Sequence, residues 1–342
     1  MIRKIINGFV LAVFLMSACS LPAPQNPVVP SEVAATDISK PVTVLPTQTA
    51  KPILPSATSV PKATALTSAA EVVFEPADQP NTYWVSNPAS QARMFVQVIY
   101  GPDWDQNPQP ALVLVPGGVG TGGSLLEEAR IFAAKGFSVV VFDPDGRGRS
   151  QGDENLNGFI HQDGLAAVVA FTQQLPEVQA GNVGLISFSY GVTMATGMLS
   201  RHPDSGVRFY IDWEGPVDRY DTTTTPLGEC QVEASKQQWQ PCDDEVFWSE
   251  REAITFMSDV KVPAYQRVQS EEDHVQPDVT HAVRMVNAAV DAGIGWVRLN
   301  DYTINRRYEE NMPPKMFPEA MDKNRNKRIG DYAVELMKQF GW

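Results

Sequence analysis

The sequence predicts an α/β protein with a mostly parallel, doubly wound sheet, and three observations favour this class. Apolar runs recur along residues 94–299 as expected strands, and segments of helical character alternate with them. Several of these runs are continuous stretches of Val, Leu and Ile, which is typical of strands buried on both faces. Glycine-containing turns follow three of the runs, as expected where a buried strand leads into a helix.

The expected elements follow one another along most of the chain. Strands are predicted at residues 94–100, 111–115, 138–142, 183–187, 209–213, 264–269 and 296–299. Helices are predicted near residues 123–135, 162–174, 190–201, 246–257, 278–292 and 330–340. The first of these strands is expected to form a hairpin with residues 72–84. Residues 215–245 interrupt the alternation, and we interpret them as a small cap inserted over the strand ends.

The N-terminal residues 1–19 have the pattern of a secretory signal. A basic start precedes a short apolar run over about residues 9–16, and small residues come directly before Cys19. The apolar run is too short for a lasting membrane span. The small residues before Cys19 resemble a bacterial lipobox, which implies cleavage there and a lipid on the cysteine sulfur. The resemblance predicts a lipid-anchored, extracytoplasmic protein of the cell envelope. An ordinary signal peptide with a chance cysteine is the alternative.

Residues 20–70 are rich in Pro, Thr, Ser, Val and Ala and almost lack aromatic residues. Such a segment cannot bury enough apolar surface to offset the entropy of ordering, so we predict a disordered tether. As a flexible coil it would span on the order of 40 Å. Residues 71–342 are then expected to form the single folded domain.

Composition excludes several partners and cofactors. The net charge of −13 argues against nucleic acid binding. Cys, His and carboxylate residues do not cluster at zinc spacing, so no metal site is expected. Residues 322–331 resemble a calcium-binding loop at three positions but lack its central glycine and final glutamate, so we interpret them as a polar loop.

The remaining cysteines, Cys230 and Cys242, lie twelve residues apart within the cap. In an exported protein such a pair predicts a disulfide. Two free thiols are the alternative.

Residues 183–195 combine an apolar strand, a small-x-Ser-x-Gly turn and a helix-like segment. This pattern predicts a nucleophile elbow, a sharp turn that exposes a serine hydroxyl at the edge of a sheet. Ser189 is therefore the candidate nucleophile. Ser187 stands where glycine is usual, which is a mild departure because the turn demands only a small residue. A buried serine at the end of a strand is the alternative.

Together with this elbow, residues 112–119 and 143–152 resemble the α/β-hydrolase superfamily over about residues 71–342. The Pro-Gly-Gly turn within the first of these segments matches the turn that carries the oxyanion hole there. The resemblance implies that the backbone amides of Gly118 (or Val119) and Tyr190 face the developing oxyanion.

Residues 262–277 resemble the segment that bears the triad carboxylate in this superfamily, and the resemblance implies that role for Asp273. Residues 247–254 look like the prolyl-oligopeptidase and dienelactone-hydrolase branch. Asp212 and Glu214, which end the preceding strand, are the alternative acids.

The catalytic base is missing from its expected place. In the superfamily a histidine follows the last strand, but here no histidine occurs after His281. Asn300 and Asn305 occupy that region, and an amide cannot take the proton of the serine. His274, directly after the predicted acid, is the best substitute base, and His161 is the alternative.

Two functions remain open from the sequence. The first is an extracytoplasmic, membrane-tethered serine hydrolase that acts on a small ester or peptide substrate without a cofactor. The second is a pseudoenzyme that keeps the fold as a binding or scaffolding module, because loss of the base from a serine triad costs about 10⁶ in rate. A histidine ring within hydrogen-bonding reach of Ser189 would favour the enzyme.

Overall fold

The structure, a computed structural model, describes residues 72–223, 240–276, 278–308, 316–317 and 324–341. Its strands are β1 Phe74–Pro76, β2 Thr82–Ser86, β3 Arg93–Ile99, β4 Gln109–Val115, β5 Ser138–Phe142, β6 Val178–Phe188, β7 Val207–Trp213, β8 Ala264–Val268, β9 Trp296–Leu299 and β10 Tyr302–Thr303. Its α-helices are α1 Leu126–Ala133, α2 Phe159–Gln174, α3 Gly191–Arg201, α4 Arg219–Thr223, α5 Glu245–Ser249, α6 Ala253–Met257, α7 Thr280–Asp291 and α8 Arg325–Phe340. A 3₁₀ turn, Gly122–Leu125, precedes α1.

These strands form one sheet in the order β1-β2-β3-β5-β4-β6-β7-β8-β9-β10. The strands from β5 to β9 in this order are parallel to one another. The chain enters through an antiparallel meander, β1-β2-β3, which joins β5, and it leaves through the antiparallel strand β10. The predicted hairpin is thus a three-stranded meander, because a turn with Asn81 at φ 59° adds the short strand β1.

The alternation of side chains along β4 explains why both faces of the sheet are covered. Leu112 and Leu114 pack with residues of α1 and α8 in one core. Val113 and Val115 point the other way and pack with residues of α2, α3 and α7 in a second core. All four side chains are fully buried. The predicted doubly wound, mostly parallel class is therefore confirmed.

The expected helix over residues 246–257 is instead two short helices, α5 and α6, and Arg251 lies between them. Its guanidinium turns inward and donates to the carbonyl oxygens of Phe247 (2.6 Å), Asn155 (2.7 Å) and Leu156 (3.2 Å). A buried guanidinium needs such acceptors, and meeting this need interrupts the helix.

Of the predicted cap, the structure describes the two ends, residues 215–223 and 240–245. Residues 224–239 lie outside the described residues. Arg219 joins these ends through an ion pair of 2.6 Å with Glu245, and a second ion pair of 2.6 Å holds it to Glu252, beyond the cap. The predicted disulfide includes Cys230, which is not among the described residues, so it stays a prediction. The predicted signal, lipidated Cys19 and tether lie outside the description as well. Among the described residues, no helix is long and apolar enough to cross a membrane.

A buried ion pair lies beneath the carboxyl ends of the central strands. Arg267 of β8 contacts Asp212 of β7 at 2.5 Å, and both side chains are completely buried. The same guanidinium donates to the carbonyl oxygen of Gly215 (2.9 Å) and to Oε1 of Gln269 (2.7 Å). The charge pair therefore holds the chain that leaves β7 against the chain that leaves β8.

We expect the substitution Arg267→Met to destabilise the fold by about 3–5 kcal/mol, because it leaves the Asp212 carboxylate buried without its partner. Urea unfolding followed by circular dichroism measures the change. Arg208→Met is the matched control, since Arg208 lies exposed on the same sheet, and it should change the free energy of unfolding by less than about 0.5 kcal/mol. Equal effects of the two substitutions would contradict a structural role for the ion pair.

Candidate active site

Ser189 lies at the turn between β6 and α3, and its backbone is left-handed with φ 49°. This conformation is strained for a residue with a side chain and is found at functional sites. The backbone N–H of Ser189 donates to the carbonyl oxygen of Trp213 (2.8 Å), which ties the turn to the end of β7. A Cβ atom at Gly191 would come within 2.8 Å of the carbonyl oxygen of Pro116, so glycine is required there.

The turn after β4 lies directly against this elbow. A Cβ atom at Gly117 would lie 2.9 Å from Cβ of Ser189, so only glycine fits this approach. The next residue, Gly118, has a left-handed backbone with φ 51°. Gly118 and Tyr190, the predicted oxyanion-hole residues, thus belong to two segments that the glycines bring into contact. Their role as donors stays a prediction.

His274 lies beside the serine, on the loop that follows β8. Its Nε2 atom is 3.0 Å from Oγ of Ser189. The imidazole stacks on the indole of Trp213 with 4.6 Å between ring centroids and an interplanar angle of 22°. The side chain is 32% exposed, so a substrate can approach it from solvent. The structure therefore supplies a basic group within hydrogen-bonding distance of the serine.

Glu214 holds the other side of the imidazole. It directly follows β7 with a left-handed backbone of φ 45°, and its side chain is completely buried. Oε1 accepts hydrogen bonds from the backbone N–H and the hydroxyl of Ser270 (2.9 and 2.5 Å). Oε2 accepts the hydrogen bond of His274 Nδ1 (2.9 Å). With Nδ1 donating, Nε2 of the neutral ring is free to accept the hydroxyl proton of Ser189.

Asp273 provides a second carboxylate at the same imidazole. Its Oδ1 lies 3.4 Å from His274 Nδ1 and accepts two backbone N–H groups of its own loop (2.8 and 2.9 Å). Its Oδ2 accepts a hydrogen bond from Gln269 (2.8 Å) and lies 3.2 Å from Nε2 of the buried His281. The predicted acid is thus next to the predicted base, but Glu214 is closer to Nδ1 by half an ångström.

The two carboxylates change the charge state of the imidazole. Burial lowers the pKa of His274, but Asp273 and Glu214 outweigh it and raise the pKa to about 9. Burial raises the pKa of Asp273, but His274, His281 and the hydrogen bonds of its loop hold this pKa well below its usual range. At neutral pH the resting site therefore holds an imidazolium between two carboxylates.

The other residues weighed as acids or bases have different partners. Asp212 is paired with Arg267, as described above. Asn300 follows β9, and its amide binds the backbone of Gln269 (2.8 and 3.0 Å) and the carbonyl oxygen of Met316 (2.6 Å). It therefore holds the loop that leads to His274, and Asn305 is exposed.

His161 lies behind the elbow and not at the serine. Its Nδ1 accepts the backbone N–H of Asn157 (3.1 Å), and its Nε2 donates to the carbonyl oxygen of Asp145 (3.0 Å). Burial lowers the pKa of His161 to about 3, so the ring is neutral. These contacts give His161 a structural role.

Within the described part of the chain, one group of side chains has the spacing to hold a metal ion, and it is formed by Glu214, Asp273 and His274. Their potential ligand atoms lie within 4.8 Å of one another. In the structure Nδ1 of His274 is already hydrogen-bonded to Glu214 (2.9 Å). A cation would have to replace that proton.

The sheet order, the serine elbow and the glycine turn packed against it define an α/β-hydrolase, as the sequence predicted. Residues 44–252 match the X-Pro dipeptidyl-peptidase (S15 family). Because the match covers more than half of the 342 residues, the chain belongs to that family. The matched region includes Ser189 and Glu214 but ends before the loop that carries Asp273 and His274. No curated protein sequence matches the chain.

Solved structures of known hydrolases share the fold. Dipeptidyl peptidase 4 of Porphyromonas gingivalis is 16% identical, with a TM-score of 0.55 over 74% of this chain and 35% of its own. Acylaminoacyl peptidase of Pyrococcus horikoshii is 16% identical, with a TM-score of 0.53 over 76% and 41%. Acetyl xylan esterase 1 of Thermoanaerobacterium is 14% identical, with a TM-score of 0.52 over 78% and 88%. The chain spans about a third of the length of the dipeptidyl peptidase.

The sequence identified most residues of this site but not all of their contacts. It singled out the serine, the histidine and both nearby carboxylates, with Glu214 as an alternative acid. It missed the stacking of Trp213 on the imidazole, and it missed Gln269 and His281 as partners of Asp273. No sequence motif predicts these contacts. The only feature of the sequence that could have indicated a role for Trp213 is its position next to Glu214, at the end of the predicted strand that follows the elbow strand.

We expect the substitutions Glu214→Gln and Asp273→Asn each to lower the pKa of His274 by about 1, because each removes a negative charge that stabilises the imidazolium. NMR titration of the histidine ring protons measures this pKa. Glu272→Gln, an exposed residue of the same loop, is the control and should leave it unchanged. A pKa of His274 near 6.5 in the parent protein would refute the charge arrangement described above.

Proposed function

We propose that this protein is an extracytoplasmic, membrane-tethered serine hydrolase that cleaves an ester or peptide bond. Ser189 is the nucleophile, His274 the general base and Glu214 the carboxylate that orients it. The single observation that carries the proposal is the 3.0 Å contact between His274 Nε2 and Ser189 Oγ. It favours the enzyme over a pseudoenzyme, since the sequence argument for the pseudoenzyme rested on the lack of a base near the serine.

In the first half of the reaction, acylation of Ser189, the proton moves along the hydrogen bond between Ser189 and His274. Neutral His274 takes the hydroxyl proton of Ser189 on Nε2 while Oγ attacks the carbonyl carbon of the substrate. The Nδ1–H group donates to Glu214 throughout, so the imidazolium that forms is stabilised by a buried carboxylate. The backbone amides of Gly118 and Tyr190 are proposed to bind the oxyanion of the tetrahedral intermediate.

The second half returns the site to its starting state. The imidazolium gives the proton on Nε2 to the leaving alcohol or amine as the bond to the carbonyl carbon breaks, which leaves an acyl group on Ser189. Water then enters, loses a proton to Nε2 and attacks the acyl carbon. When this second intermediate collapses, the acid product leaves and the proton returns to Oγ of Ser189.

The charge of the resting imidazole sets the pH range of this chemistry. The protonated ring cannot act as the base, and its pKa is raised to about 9. Ionised carboxylates favour the charged ring, so a neutral base accumulates only as the pH rises towards that value. The proposed enzyme therefore works best under alkaline conditions.

The substrate and location follow from other parts of the chain. Family membership supports peptide bonds after an X-Pro pair as one class to test, and the esterase fold relatives support small esters as another. The exposed side chains of Val119 and Val275 follow Gly118 and His274 directly in the chain, which fits an apolar acyl or amine group. The signal and lipobox pattern before Cys19 supports tethering to a membrane of the cell envelope.

We expect a fluorophosphonate probe to label the protein from residue 71 onward and not its Ser189→Ala variant. The parent should hydrolyse p-nitrophenyl acetate or an X-Pro p-nitroanilide. His274→Gln should lose about 10³-fold or more in kcat, because the amide cannot accept the proton. Asn305→Gln, at an exposed site, is the control and should keep the parent rate. A folded parent that neither labels nor hydrolyses these compounds excludes the proposed function.

The roles of the two carboxylates are separable by pH-rate profiles. Glu214→Gln should lower kcat by about 10³–10⁴-fold, because the hydrogen bond that selects the ring tautomer is lost. Asp273→Asn should lower kcat by no more than about tenfold. Loss of its negative charge destabilises the imidazolium, so the ascending limb of kcat/KM should move to lower pH. The reverse order of effects would make Asp273 the triad carboxylate, as the sequence predicted.

A further inference from the structure

A buried chain of side chains connects the two segments that form the proposed oxyanion hole. Arg147 lies on the loop after β5, and its side chain is 2% exposed. NH1 lies 3.5 Å from the carbonyl oxygen of Gly120, in the turn after β4. NH2 donates to Oδ1 of Asn157 (2.9 Å), and Nδ2 of Asn157 donates to the carbonyl oxygen of Tyr190 in the elbow (2.9 Å).

The backbone around Asn157 has a strained conformation, which allows the Asn157 side chain to reach both Arg147 and Tyr190. Leu156 and Asn157 both have left-handed backbones, with φ 46° and 63°. The carbonyl oxygen of Leu156 accepts a hydrogen bond from the Tyr190 hydroxyl (3.3 Å). Both strained residues thus bind Tyr190: Asn157 binds its backbone carbonyl oxygen, and Leu156 binds its side-chain hydroxyl.

Glu154 fixes the other end of the connection. Its two carboxylate oxygens accept hydrogen bonds from Nε and NH2 of Arg147 (2.7 and 2.8 Å), which sets the plane of the guanidinium. A backbone N–H of the same loop, that of Leu156, also donates to Glu154 (2.6 Å). The guanidinium can therefore contact Gly120 and Asn157 at once without rotating.

We infer that Asn157 and Arg147 are positioning residues that set the separation and orientation of the two oxyanion-hole segments. The inference rests on the proposed function, since it concerns a step of that reaction. An oxyanion hole accelerates the reaction only if both donors lie at the right distance from the position of the oxyanion. The segments belong to different strand ends, and Asn157 and Arg147 bridge them.

The test uses the near-isosteric substitution Asn157→Asp. Aspartate tolerates a left-handed backbone and keeps the acceptor for Arg147, but it loses the donor to Tyr190. We expect kcat for p-nitrophenyl acetate to fall about tenfold to a hundredfold with KM within about twofold of the parent. The inhibition constant of phenylboronic acid, whose adduct with the serine mimics the tetrahedral intermediate, should rise by a similar factor.

Asn155→Asp is the matched control on the same loop, because the side-chain oxygen Oδ1 that accepts the backbone N–H groups of Ile160 (3.1 Å) and His161 (3.4 Å) is kept in aspartate. It should keep the parent values of kcat and of the inhibition constant. A melting temperature within about 3 °C of the parent separates positioning from loss of fold. If Asn157→Asp does not fold, Arg147→Lys is tested instead, by its kcat for p-nitrophenyl acetate and its inhibition constant for phenylboronic acid.

The outcomes separate the inference from the proposed function. An active parent with an equally active, equally inhibited Asn157→Asp variant overturns the inference alone. A parent that neither hydrolyses the ester nor labels with a fluorophosphonate overturns the proposed function and the inference with it. A loss of kcat and of inhibitor affinity in Asn157→Asp at unchanged KM and stability supports the inference.

Discussion

The site depends on the parallel, in-register pairing of three neighbouring strands. Phe188 at the end of β6 pairs with Trp213 at the end of β7, and Trp213 pairs with Val268 at the end of β8. The residues that follow, Ser189 and Glu214, are therefore side by side at one edge of the sheet. Each adopts a left-handed backbone, which turns its side chain out over that edge instead of continuing the strand.

The same register explains how an imidazole on the loop after β8 comes within hydrogen-bonding distance of the serine. The loop after β8 starts beside Glu214, and the hydrogen bonds between Ser270 and Glu214 hold its first turn. His274 then lies over Trp213, within reach of the serine. Asn300, which follows β9, hydrogen-bonds the backbone of Gln269 and so supports this loop.

The position of His274 on this loop has an electrostatic consequence. Its imidazole lies between Glu214 and Asp273, and these two carboxylates stabilise the charged ring. Glu214 makes the shorter contact with Nδ1 of His274, whereas Asp273 is also held by its own loop, Gln269 and His281. A second, buried polar network around Arg147 is linked to the elbow through Asn157.

The sequence by itself determined the fold class, the succession of the central strands along the chain, the elbow serine and the candidate residues around it. It could do so because the period of buried residues and the glycines of tight turns are local properties of the chain. Only the tertiary structure decided that His274 faces Ser189, that Glu214 is nearer to it than Asp273, and that Asn157 reaches Tyr190. These contacts join residues 33 to 85 positions apart. Such distances depend on strand register and loop path, which no local pattern encodes.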